Sequence, residues 1–169
     1  MKKTSVFDVA LVGIMVAVIE VSKVAMMELP NIELTSFWLL IFSKHFGRRV
    51  YWAVPVFILL EGALFGFGDW WFMYLYAWPL LVLTARFFRK SDEPLTWAII
   101  SGIFGLLFGL LCAVTKIFFM GSATAAFSWW IAGIPWDFVH AGANFALMLI
   151  LYKPMEKAVA AVKRMHPTV

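Results

Sequence analysis

Charge is scarce in this chain. Asp, Glu, Lys and Arg make up only 14% of its 169 residues, while 63% are hydrophobic. Soluble domains average about 25% and about 45–50%. The imbalance excludes a soluble globular domain and implies an integral membrane protein. Cysteine is nearly missing too. Cys112 stands alone, which excludes an intrachain disulfide and a thiolate metal cluster, so no metal site is expected. Catalytic signatures are absent: there is no Gly-x-Ser-x-Gly, no His-Glu-x-x-His and no phosphate-cradling glycine loop. Of the three histidines, His45 falls at the end of the second predicted span, His140 within the sixth and His166 in the tail. That argues against a bis-histidine haem, and no cofactor is expected. The net charge of +4 is spread over short separate clusters, so nothing suggests a nucleic-acid surface. No nucleotide-binding domain fits beside the spans, and any dependence on ATP must come from a partner.

What is present is a series of long apolar runs. At about 20 residues per span, they are read as six transmembrane helices over about 6–27, 31–46, 50–65, 70–88, 95–119 and 135–152. The basic start Met1-Lys2-Lys3 leads into the first run with no early cleavage site, so a retained span is expected. The second run is short for a crossing and is expected to be tilted or shielded by protein. Gly102, Gly105 and Gly109 form a predicted close-packing stripe in the fifth. Gly133-Ile-Pro135 is read as a break between an outer aromatic segment (127–134) and the sixth span, and Lys153-Pro154 as that span's stop. The expected fold is a single all-α bundle over 1–169, with a short amphipathic tail at about 155–169.

Charge orients the bundle. With both termini cytoplasmic, Lys2, Lys3, Lys44, Arg48, Arg49, Arg86, Arg89, Lys90, Lys153, Lys157, Lys163 and Arg164 all lie inside, twelve of the 14 basic residues. A multi-pass protein of a cell membrane, a bacterial plasma membrane, is expected. The acids then sort: Glu20, Glu28, Glu33, Glu61, Asp69 and Asp137 fall in the outer half with Lys116 and His140. Ionisable groups facing lipid cost at least about 2.5–3.5 kcal/mol each, so these are expected to meet one another or line a wet, outward-opening pocket. The stretch from Glu28 to Ser36, broken at Pro30, is read as its rim. Asp69 is taken as a loop residue, Glu20 as a partner for Lys23, and Lys116 as a partner for Glu33, Glu61 or Asp137. Asp137, His140 and Asn144 share one helical face. His140 fits a hydrogen-bonded core histidine as well as a ligand contact. Trp78 and Tyr74 fit either packing or stacking on a planar ligand.

Several strings go further. Leu29-Pro-Asn-Ile-Glu33-Leu-Thr-Ser36, Glu61-Gly-Ala-Leu-Phe-Gly-Phe-Gly68, Ser101-Gly-Ile-Phe-Gly-Leu-Leu-Phe-Gly109 and Gly133-Ile-Pro-Trp-Asp-Phe-Val-His140 resemble the substrate-binding (S) components of energy-coupling factor (ECF) transporters. The resemblance spans about residues 7–154. It implies a non-enzymatic subunit that captures a vitamin or related micronutrient from outside. Such a subunit docks on a membrane coupling subunit with two ATPases and topples in the bilayer to release its ligand. The family's first-helix motif is Ala-x-x-x-Ala; here it reads Gly13-x-x-x-Ala17, which implies docking through Gly13 and Ala17. Substrate contacts are expected from Glu33, Glu61, Trp78, Lys116, Asp137, His140 and Asn144. The competing expectation is a small membrane enzyme or accessory subunit with Asp137 and His140 as an acid/base pair.

Overall fold

The computed structural model describes residues 5–165; Lys2, Lys3 and His166 lie outside them. Six α-helices follow one another: α1 (Val6–Met26), α2 (Thr35–Phe46), α3 (Val50–Phe65), α4 (Asp69–Phe88), α5 (Pro94–Met120) and α6 (Ala123–Met165), with a 3-10 turn, Gly47–Arg49, between α2 and α3. Among the described residues, α1, α4, α5 and α6 are long and apolar enough to cross a bilayer. The chain is therefore an all-α protein of the multi-pass membrane type. Large side chains such as Phe87, Phe118 and Ile150 point outward, as a lipid-facing surface permits and an aqueous one does not.

Local chemistry sets the helix ends. Ser5 Oγ accepts the Asp8 N–H at 3.1 Å while Asp8 Oδ2 accepts the Ser5 N–H at 3.0 Å, a reciprocal capping box that opens α1. Pro30 prevents α1 from continuing into α2. Glu33 then accepts the Ser36 N–H at 2.9 Å, satisfying a donor that the first turn of α2 leaves free. Gly121 ends α5 at φ 64°, the left-handed conformation that glycine adopts without a Cβ clash.

The short α2 is the centre of the bundle. Eight of its 12 residues are buried, including Leu39, Leu40 and Ile41. A helix of 12 residues spans only about 18 Å, too little for a bilayer, and here protein surrounds it, as its length predicts. The α5 stripe also packs as predicted. A Cβ on Gly105 would lie 2.9 Å from the His140 carbonyl, and one on Gly102 would lie 3.3 Å from Phe145 Cβ. These absent side chains let α5 and α6 pack backbone to backbone.

One expectation is corrected. Gly133-Ile-Pro135 does not break the chain and Lys153-Pro154 does not stop it. Both prolines sit inside α6, which runs unbroken for 43 residues, about 65 Å at 1.5 Å per residue. Each proline removes one intrahelical bond. The tight α5 contact offsets that loss near Pro135, and contacts with α2 do so beyond Pro154. There Glu156 meets His45 Nε2 at 2.8 Å and Lys163 donates to the His45 carbonyl. The predicted tail is thus, as far as it is described, the end of α6.

Candidate binding site

The two ends of the bundle differ in charge. The starts of α1, α3 and α5, the ends of α2 and α4, and the far end of α6 gather Lys44, Arg48, Arg49, Arg86, Arg89 and Lys163 at one end. Glu20, Lys23, Glu33, Glu61, Asp69 and Lys116 collect towards the other, the acidic end.

At the acidic end α1 and α3 meet through charge. Glu61 is fully buried at 0% exposure, and its carboxylate forms an ion pair with Lys23, 27% exposed. Glu20, one turn before Lys23, places a second carboxyl beside that of Glu61. Sequence spacing pairs Lys23 with its neighbour Glu20; the folded chain gives Lys23 to Glu61, 38 positions away. Two carboxyl groups thus share one ammonium. Glu61 Oε1 and both Glu20 oxygens have no hydrogen-bond partner within the described chain. Such buried polar atoms are costly unless something satisfies them.

Lys23 also stands at the mouth of a cavity of 350 Å³ whose walls include Phe65, Trp70, Met73, Tyr74, Phe108 and Cys112. Its ammonium lies 4.5 Å from the Phe65 ring centre and 5.9 Å from that of Trp70, within cation–π range. The volume falls at the lower end of the roughly 300–1,000 Å³ usual for small-molecule sites. Largely aromatic walls around a single cation suit a planar ligand that also carries a polar group.

None of the seven predicted contact residues belongs to this wall; three stand one side chain behind it. Glu61 holds Lys23. Trp78 packs edge-to-face with Tyr74 at 5.1 Å and at a tilt against Phe108 at 5.7 Å. His140 presents its edge to Phe108 at 4.9 Å, and its Nε2 lies 3.3 Å from Glu33 Oε1. The His140–Glu33 contact ties α6 to the start of α2 across 107 positions. Deeper between α5 and α6, Asp137 Oδ1 accepts the Gly109 N–H at 3.0 Å and Asn144 donates to the Ser101 carbonyl at 3.4 Å. Behind Tyr74 and Phe108, Trp78 Nε1 and His140 Nδ1 are buried without partners within the described chain.

Lys116 departs from expectation. It pairs with Asp69, not with Glu33, Glu61 or Asp137, and its ammonium lies 5.0 Å from the Trp129 ring centre. Asp69 is accordingly no plain loop residue. It begins α4, where a carboxylate is favoured by the helix dipole, and its Oδ1 accepts the Trp70 N–H at 2.8 Å. Asp137 and His140 each have a different hydrogen-bond partner, Gly109 and Glu33.

Sequence reasoning did not select Met73, Phe108 or Cys112. Each lies within an apolar run and carries no local signal; Phe108 is one of 17 phenylalanines. Tyr74 was marked by its shared face with Trp78, and Lys23 by its position beside Glu20.

Gly13 and Ala17 lie on the outer face of α1 with Ala10, all three exposed. A Cβ on Gly13 would meet nothing within 4 Å. This strip is exposed along the described face of α1.

No family model, curated protein or solved structure matches this chain.

Proposed function

We propose that this protein is the substrate-binding component of an ECF-type importer, with both termini cytoplasmic and the acidic end facing outward. The observation that carries the reading is the cavity at that end: aromatic walls, the Lys23 ammonium at its mouth, and buried polar atoms without partners behind it. The ligand is a vitamin-like micronutrient with a flat ring to lie among Trp70, Tyr74 and Phe108. An anionic or carbonyl oxygen on it would approach Lys23. A cationic group would instead use the carboxylate excess of Glu20 and Glu61.

The exposed Ala10, Gly13 and Ala17 strip supports the second half of the reading. A flat face with small side chains lets a partner helix approach closely, and docking there leaves the cavity untouched. The coupling subunit and its two ATPases would then supply the energy that this chain has no means of providing.

The deciding experiment is titration of the purified protein with a panel of vitamins and their precursors, followed by tryptophan fluorescence and checked by calorimetry. Trp70 in the cavity wall makes quenching a direct readout. The expected result is saturable binding of one compound, weakened at least about tenfold by Tyr74→Ala, which removes stacking area that an aromatic contact supplies. Failure of every compound to bind, together with failure to co-purify with a coupling subunit, would overturn the reading.

A further inference from the structure

A second site lies at the basic end, on the outer seam between α3 and α4, and it is independent of the nutrient cavity. Arg48, Arg86 and Arg89 surround a hollow of 120 Å³ floored by Ser43, Gly47 and Val82. That is the volume of about four liquid waters. Arg86 donates to the Tyr51 hydroxyl at 3.2 Å, which holds one guanidinium in place. Other cations take three of the acids of this end. Asp8 pairs with Arg49, Asp92 with Lys44, and Glu156 with Lys44 and His45. Among the described ion pairs, none joins Arg48, Arg86 or Arg89 to a carboxylate. Three guanidiniums around one hollow, with no ion pair among the described residues, form a receptor for an oxyanion.

What lies next to the hollow identifies the oxyanion's carrier. Tyr51 and Val82 line the hollow and also one end of a furrow of 490 Å³ that runs towards the acidic end. Pro55, Ile58, Leu75 and Pro79 are among its walls. Trp71, at the far end, gives its indole N–H to the Ile58 carbonyl at 2.7 Å, so that donor is already used. From Val82 back to Trp71 the furrow follows eleven residues of α4, about 16 Å, close to the roughly 15 Å depth of one leaflet's hydrocarbon. A charged hollow that continues into an apolar channel one leaflet long matches a headgroup phosphate joined to an acyl chain. A free phosphate would use only the hollow.

We infer that the α3–α4 seam is a binding site for an anionic phospholipid, with its phosphate among Arg48, Arg86 and Arg89 and one acyl chain in the furrow between Pro55 and Pro79. Such a site would fix the depth and tilt of this seam in the leaflet that the basic end occupies.

Native mass spectrometry of the full-length protein in detergent tests this, with phosphatidylglycerol, phosphatidylcholine, inorganic phosphate and glycerol phosphate as probes. Phosphatidylglycerol is expected to bind at least about tenfold more tightly than phosphatidylcholine, since each basic side chain near the headgroup favours an anionic lipid. The triple variant Arg48→Gln/Arg86→Gln/Arg89→Gln should lose that preference. Leu75→Trp, which fills the furrow and leaves the arginines in place, should weaken phosphatidylglycerol about tenfold without changing retention of inorganic phosphate. Arg86→Lys keeps the charge and should keep most of the preference, separating loss of the site from loss of the fold. Equal binding of the two lipids by the wild-type protein would overturn the inference. So would glycerol phosphate competing as well as the intact lipid while Leu75→Trp has no effect, which would make the hollow a site for a free anion.

Discussion

The two ends of this bundle handle charge in opposite ways. At the basic end three acids, Asp8, Asp92 and Glu156, have basic partners, and the surplus is arginine. Asp92, whose side chain is 89% exposed, pairs with Lys44, and Asp8 pairs with Arg49. At the acidic end the carboxyls go inside. Glu61 is fully buried, Glu20 nearly so, and three of their four oxygens lack a partner within the described chain. Exposed ion pairs are worth little, and many contribute nothing measurable, so the pair made by the exposed Asp92 adds little stability. Buried, half-satisfied carboxyls are expensive. Their retention beside a cavity fits the ligand-binding role proposed for that end.

The largest expected effect breaks the buried pair. Lys23→Met leaves Glu61 without its ammonium and beside Glu20, costing about 3 kcal/mol, the low end for stripping a buried ion pair because Lys23 is partly exposed. Lys23→Met/Glu61→Gln should recover most of that loss, and thermal unfolding of the single and double variants in one detergent measures both. If Lys23→Met melts with the wild type, the acidic end is wet and the contrast between the ends disappears.

Two glycines sharpen the comparison next. Gly105→Ala puts a Cβ 2.9 Å from the α6 backbone, so the helices must separate at a cost of about 1–3 kcal/mol. Gly13→Ala meets nothing and should be neutral or stabilising by up to about 1 kcal/mol, since alanine is the better helix former. Gly13→Leu should likewise leave ligand affinity unchanged while blocking uptake in cells that supply the coupling module. Equal loss of binding and uptake in Gly13→Leu would place the strip inside the working monomer instead.

Much of this was legible in the sequence. Apolar runs gave the helices, and sorting acids from bases separated the two ends before any contact was known. The glycine stripe of α5 identified its packing face correctly. What was not legible is which charges meet. Lys23 has Glu20 one turn away and Glu61 38 positions away, and only the approach of α1 to α3 selects Glu61. Lys116 finds Asp69 for the same reason. Pro135 and Pro154 misled because a proline's local cost was weighed without the neighbouring helices that offset it. The cavity wall was hidden because aromatic residues facing a cavity and aromatic residues facing lipid obey the same periodicity.

A smaller effect is expected from Lys116→Met. Lys116 and Asp69 are 21% and 29% exposed, so water supports whichever partner remains, and the loss should be about 1 kcal/mol, including the contact with Trp129. A loss as large as that of Lys23→Met would mean that α4 and α5 close over this pair and that the site extends to it.

The smallest effect belongs to the basic end and tests the contrast by pH. The hydrogen bond and charge of Lys44 hold the Asp92 carboxyl below its ordinary value of 3.8. The folded state therefore binds the Asp92 proton less readily than the unfolded chain does. Any stability from the pair is fully present above the ordinary carboxylate range and is lost as pH falls below 3.8 and through the folded value. Because Asp92 is exposed, its share of the acid-induced change should be close to the error of a melting experiment. Wild type and Asp92→Asn should have indistinguishable unfolding midpoints at neutral pH and should lose stability in parallel on acidification. A clear midpoint gap at pH 7 that closes below pH 3 would show that surface pairs at the basic end do stabilise the fold, and the division of labour between the two ends would have to be redrawn.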